Sequence, residues 1–122
     1  MAYVDGFILP VPEANLDEYK RQAKKASKAW MKAGALQYWE CLADDVPAGK
    51  STDFYKAVKK KEGETVVFAF AVYRNRKHRD AVMKVVMADP SMQMDPATMP
   101  FDGKRMFWGG FKPIIELQAD RD

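Results

Sequence analysis

Val66-Val67-Phe68-Ala69-Phe70-Ala71-Val72-Tyr73 is a run of apolar residues without a polar break. A strand with one wet face alternates apolar and polar residues, because successive side chains point to opposite faces. This run does not alternate. As a strand it carries Val67, Ala69, Ala71 and Tyr73 on one face and Val66, Phe68, Phe70 and Val72 on the other. Both faces must leave water. The helices of a 122-residue chain can cover one of them. The other is expected to meet a second copy of the protein, which makes Val66, Phe68, Phe70 and Val72 the expected dimer interface.

Working outward, Tyr3 to Leu9 reads as a first strand, ended by Pro10 and Pro12, since proline cannot donate to a ladder. Asn15 is placed to cap a helix with Asp17 and Glu18 in its first turn. Leu16, Tyr19, Ala23, Ala26, Trp30 and Ala33 then alternate spacings of three and four, one stripe facing a sheet, and Gly34 stands where a helix ends. Ala35 to Ala43 reads as a second strand and Asp44 to Phe54 as a loop. Tyr55 to Val58 reads as a strand extension, and Lys59 to Glu64 as a charged turn. After the apolar run, Asn75 caps a second helix from about Arg76 to Met87, with Val82, Val85, Val86 and Met83 as its apolar side and Asp89-Pro90 as its stop. Met92, Met94, Met99 and Met106 lie in and beside Ser91 to Pro100, which reads as an ordered cover because linkers rarely carry such large apolar groups. Arg105 to Leu117 supplies a last strand, bent at Gly109-Gly110 and Pro113.

The order is β-α-β-β-α-β, the split βαβ arrangement. The fold class is α+β. A ferredoxin-like sandwich is expected, with an antiparallel sheet, two helices on one face, and the opposite face left apolar to pair with its copy as a dimeric α/β barrel. Residues 1–122 make a single domain, with no internal repeat or low-complexity segment.

A hydrophobic share of 48% and a charged share of 30% are ordinary globular values. No apolar run approaches the roughly 18 residues that span a bilayer. The opening Met1 to Gly6 lacks a basic stretch and carries an early acid, so no secretory signal is expected and the cytoplasm is the default. Cys41 is the single cysteine and cannot form an internal disulfide, which agrees with a reducing compartment. The net charge of +3 is mild. Lys20, Arg21, Lys24, Lys25 and Lys28 recur along the first helix without interleaved aromatics, so nucleic-acid binding is disfavoured against a solvated face.

His78 is the single histidine, and its ordinary pKa suits proton transfer near neutrality. It is the catalytic candidate, with Asp80 or a carboxylate from elsewhere in the chain as its orienting partner. The plain alternative is a surface histidine among charges. Cys41 has no local base, so it reads as a buried structural thiol rather than a nucleophile. Glu40 and Cys41 point to opposite faces of their strand. Arg105 and Asp102 are the candidates for an anionic ligand, against a turn at Asp102-Gly103. Tyr38 and Trp30 are candidate pocket lining, each with a polar tip on an apolar body. Asp44-Asp45 offers too few oxygens for a cation, and no metal site is expected. Glycine-rich phosphate loops, paired-cysteine zinc patterns, HExxH and GxSxG are all absent from the sequence, and no cofactor is expected.

Tyr3-Val4-Asp5-Gly6-Phe7-Ile8-Leu9-Pro10-Val11-Pro12 resembles the start of the YbaA-like family of small bacterial proteins. Gly34-Ala35-Leu36, Glu40-Cys41, Asp44-Asp45-Val46-Pro47, Arg79-Asp80 after His78, and Met99 to Met106 with Gly109-Gly110-Phe111 resemble its later blocks. The likeness covers nearly the whole chain. It implies a ferredoxin-like fold of the dimeric α/β-barrel superfamily and implies no activity. That superfamily includes cofactor-free monooxygenases, haem-handling enzymes and simple ligand binders, so fold likeness alone says little about function.

The expected function is a small cytoplasmic homodimer that binds an apolar or aromatic small molecule. The alternative is a non-catalytic regulatory or interaction protein using the fold as a dimer scaffold. RNA binding through the lysine-rich helix is a weaker alternative.

Overall fold

The apolar run is the spine of the sheet. In the computed structural model, which describes residues 2–119, it forms β3 (Glu64–Tyr73). β3 pairs with β1 (Tyr3–Pro12) on one side and β2 (Gln37–Leu42) on the other, and β4 (Phe107–Phe111) pairs with the far edge of β1. The order is β2-β3-β1-β4 and every pairing is antiparallel. α1 (Leu16–Ala33) follows β1 and α3 (Arg76–Ala88) follows β3. This is the ferredoxin-like α+β order, with one short addition, α2 (Phe54–Ala57), between β2 and β3.

The two faces of β3 meet different fates. Val67, Ala69, Ala71 and Tyr73 are buried under the helices. Ala69 and Ala71 are small, so helical side chains reach deep between them. Phe68 on the other face stays 43% exposed, with Trp39, Phe107 and Phe111 also exposed on that side. Val66 departs from its expected role. It is already buried by its own chain, on the face where Phe54 of α2 meets Phe68 edge-on at 6.3 Å.

β1 does not stop at Pro10. It pairs with β3 as far as Pro12. The reason lies in the alternation of a ladder. The Glu13 N–H bonds Gly63 O on the β3 side, so residues 9 and 11 also face β3, and the missing N–H groups of Pro10 and Pro12 lie on the other edge. That edge is where β4 would have to continue. β4 therefore begins at Phe107, opposite Ile8, and the expected strand start at Arg105 is not realised. Its other end stops at Phe111, opposite Val4, because β1 itself begins at Tyr3 and Pro113 lacks a donor. Ile114, Ile115 and Leu117 lie outside any strand and are exposed.

The helices follow their punctuation. Gly34 has φ 116, a left-handed geometry that suits glycine, and its N–H bonds Met31 O at 3.1 Å. Asn75 Oδ1 accepts the His78 N–H at 2.7 Å at the start of α3. Asn15 precedes α1 but makes no side-chain cap. Its Nδ2 instead donates to Pro100 O at 3.0 Å, tying the methionine-rich segment to α1. Val85 points to solvent rather than inward, because Arg79, Val82 and Val86 occupy the inner stripe at spacings of three and four. Tyr55 to Val58 is not a strand extension. Asp53 accepts the Lys56 N–H at 2.7 Å and starts the single turn of α2.

Candidate functional site

Tyr38 and Glu40 stand two residues apart on β2, so both side chains rise from the helix-covered face. Their partners across the ladder are Ala71 and Ala69, which leave space above the sheet. Tyr19 descends from α1 into that space. The Tyr38 hydroxyl donates to Glu40 Oε2 at 2.7 Å, and the Tyr19 hydroxyl donates to Glu40 Oε1. Burial, reinforced by the Glu40 charge, pushes both phenols well above the ordinary tyrosine value. They remain protonated donors at any ordinary pH.

This triad is the partition between two hollows. One, of about 300 Å³, lies between α1, the sheet and the segment from Met92 to Met106. Its wall is aromatic and thioether: Phe7, Trp30, Tyr38, Phe101 and Trp108, with Met83, Met87, Met92, Met94 and Met106. Gln22 and Glu40 supply its amide and carboxylate. Gln22 Nε2 donates to Glu18 at 3.2 Å, while its Oε1 is buried without a hydrogen-bond partner among the described residues. The second hollow, about 310 Å³, is a cleft on the other side of the triad, bordered by Lys20, Lys24, Ser27 and Leu42.

Trp30 and Tyr38, picked from sequence as lining, both border the first hollow, with ring centroids 5.3 Å apart. His78, Arg105 and Asp102 line neither hollow. His78 sits at the start of α3, where its Nδ1 accepts the Arg74 N–H at 3.0 Å and its ring meets Tyr73 edge-on. Arg105 forks onto Glu64 at 2.7 and 2.6 Å, and it also donates to Asp102 at 3.0 Å and Lys59 O at 3.1 Å. That arginine joins β3 to the segment before β4 instead of waiting for an anion. Asp102 accepts from the Lys104 N–H and holds the turn. Cys41 is not a buried thiol. It is exposed on the outer face, opposite Phe68 in the ladder. Sequence patterning does not single out Glu40, Tyr19 or Gln22 as site residues. The Tyr38-x-Glu40 spacing was the readable signal, a phenol and a carboxylate on one strand face.

The Arg105 hydrogen bonds hold the Glu64 carboxyl at about 2, against the usual 4.5. The folded-state value is lowered, so the pair's contribution is fully present above pH 4.5 and is lost as pH falls toward 2. Allowing for solvent screening, it is worth about 2 kcal/mol. Urea unfolding should find Arg105→Met less stable than the native chain by that amount at neutral pH, with the gap closing in acid. A gap unchanged in acid contradicts the pairing.

A second polar cluster lies beneath Trp30. Asp5 is fully buried on β1. Its Oδ1 accepts from Arg79 Nη1 at 2.9 Å, and its Oδ2 from the Tyr73 hydroxyl at 3.0 Å. Trp30 Nε1 donates to the Tyr73 hydroxyl at 3.1 Å, and the Arg79 guanidinium lies 5.0 Å from the centre of the Tyr3 ring. These contacts fasten both helices to the sheet. Asp44 and Asp45 gain no third ligand, and no group of three His, Cys, Asp or Glu side chains that could hold a metal ion is found among the described residues.

Residues 2–103 match the family described as "Protein of unknown function (DUF1428)". The chain is 48% identical over 116 residues to "Uncharacterized protein YbaA" of Escherichia coli strain K12, covering 95% of this chain and 99% of that protein. The YbaA protein of Shigella flexneri matches to the same extent. Among solved structures, an uncharacterized NIPSNAP-like domain protein from Burkholderia xenovorans superposes with a TM-score of 0.56 over 97% of this chain and 90% of that one. At 11% identity that likeness shows the ferredoxin-like fold alone.

Proposed function

Because the chain belongs to the DUF1428 family, whose function is unknown, we propose its function from its own cavity: it is a small homodimeric protein that binds an apolar or aromatic small molecule under α1. The observation that carries this reading is the hollow of about 300 Å³, walled by aromatic rings and methionines with a carboxylate and an amide placed among them. Ligand pockets have that composition, mostly apolar with few polar groups to set orientation. The methionines suit a wall that adapts to an irregular ligand.

The neutral fluorophore N-phenyl-naphthylamine tests the reading. It should bind with one site per chain and brighten on transfer out of water. Ala26→Trp fills the hollow from α1, so binding should fall at least about tenfold while the circular dichroism stays native. Equal binding by a folded Ala26→Trp variant places the dye site elsewhere and removes the support for this reading.

The homodimer rests on the outer face of the sheet. Its outward positions are Val4, Gly6 and Ile8; Gln37, Trp39 and Cys41; Phe68, Phe70 and Val72; and Phe107, Gly109 and Phe111. None is charged. A two-fold interface sets a patch against its own copy, so a charged patch repels itself whereas an uncharged apolar one is self-complementary. Two such faces would stack about 10 Å apart. Val66 is excluded from the interface because its own chain covers it. The lone cysteine favours a reducing compartment, the cytoplasm. No helix among the described residues is long and apolar enough to cross a membrane.

A further inference from the structure

We propose that the ligand of the hollow under α1 is a cationic amine carried on an aromatic or apolar body. This rests on the ligand-binding reading above and names the chemical class. Glu40 is the one charged side chain on the wall of that hollow among the described residues. Its two hydrogen-bond partners are phenols, which donate protons without bringing positive charge. No lysine, arginine or histidine stands within ion-pair distance of it among the described residues. A carboxylate offers about four lone-pair sites, and the phenols use two.

The second observation is independent. Gln22, on the same wall, carries a buried acceptor, Oε1, with no donor among the described residues. A buried acceptor left unpaired is costly, and it asks for an N–H or O–H from whatever fills the space. Both open valences of the site are therefore acceptors. An ammonium group matches them, having several donors and no acceptor. The rings of Trp30, Tyr38, Phe7 and Trp108 stand on the same wall, and aromatic rings attract a cation and pack against an aromatic body. A carboxylate or phosphate ligand would meet Glu40 without a cation to offset it. Lys20 and Lys24 border the adjoining cleft, on the other side of the triad.

Three probes share one ring system and differ in charge: naphthylethylamine, naphthylethanol and naphthylacetate. Isothermal titration of the native protein at neutral pH should rank the amine about tenfold tighter than the alcohol, with the acetate weakest. Glu40→Gln keeps one acceptor oxygen for one phenol and offers an NH2 that the other phenol oxygen can accept by rotating its hydroxyl. It should bring the amine down to the affinity of the alcohol and leave the alcohol unchanged. If the alcohol binds the native protein as well as the amine does, the amine assignment is overturned while the cavity reading stands. The same holds if the amine keeps its advantage in a folded Glu40→Gln. If none of the three binds, the cavity reading falls as well. The ranking on the native protein needs no variant, so misfolding of Glu40→Gln leaves the test intact.

Discussion

Phe68→Asp is expected to halve the mass of the protein in solution. The native chain of 13.9 kDa should sediment at about twice that mass at micromolar concentration. Phe68 is 43% exposed in the single chain, beside Phe70 at 6.0 Å and Phe54 at 6.3 Å. An aspartate there is tolerable in a monomer, where water still reaches it. In a two-fold interface the same substitution occurs on both copies, and each buries an unpaired charge at a cost of about 3–5 kcal/mol. Dissociation with an intact circular dichroism spectrum is the expected outcome. Cys41 provides an internal control, since it lies opposite Phe68 in the ladder. It should react with a thiol reagent faster in Phe68→Asp than in the native protein. A native protein that sediments at the single-chain mass contradicts the interface.

Arg79→Leu should cost about 3–5 kcal/mol of folding stability, because it removes the cation from a fully buried carboxylate. Asp5 would keep only the Tyr73 hydroxyl as a side-chain partner. Burial already pushes the Asp5 carboxyl upward, against the lowering pull of Tyr73 and Arg79. Without Arg79 it rises further. A raised folded-state value means that the variant is favoured below the unfolded value and loses stability as pH rises through the folded one. Arg79→Leu should therefore gain relative to the native protein on going from neutral pH toward pH ~4. The Arg105 variant also closes on the native protein in acid, but there because the native pairing is lost. Adding Asp5→Asn to Arg79→Leu should recover part of the loss at neutral pH. Urea unfolding of the three chains measures all of this. A loss below about 1 kcal/mol for Arg79→Leu would mean the pair is dispensable.

Glu40 shows why the site was harder to read than the fold. The period-two pattern places Tyr38 and Glu40 on one face of β2, yet nothing local says that Tyr19, on α1, will close the triad from above. That contact depends on how α1 lies across the sheet, and on Ala69 and Ala71 leaving room beneath it. Arg105 and His78 misled for the same reason. Each is a chemically capable side chain whose use depends on where the fold places it: Arg105 is taken by Glu64, 41 residues away, and His78, held locally by the Arg74 N–H, lies beside Gly34 and lines neither hollow.

The sequence by itself determined the number, type and order of the main elements, the two-faced character of β3, and the helix limits at Gly34, Asn75 and Asp89-Pro90. These follow from periodicity and from backbone preferences, which act between near neighbours in the chain. The tertiary structure alone decided that β1 runs through Pro10 and Pro12, that β4 is short, and that Val66 is buried within its own chain. It also decided that Glu40 is held by two tyrosines beside an apolar hollow. Each of those outcomes is set by which edge or face a remote segment occupies. A proline is harmless where no strand lies beside its missing donor, and a carboxylate becomes a candidate site only where distant side chains enclose it.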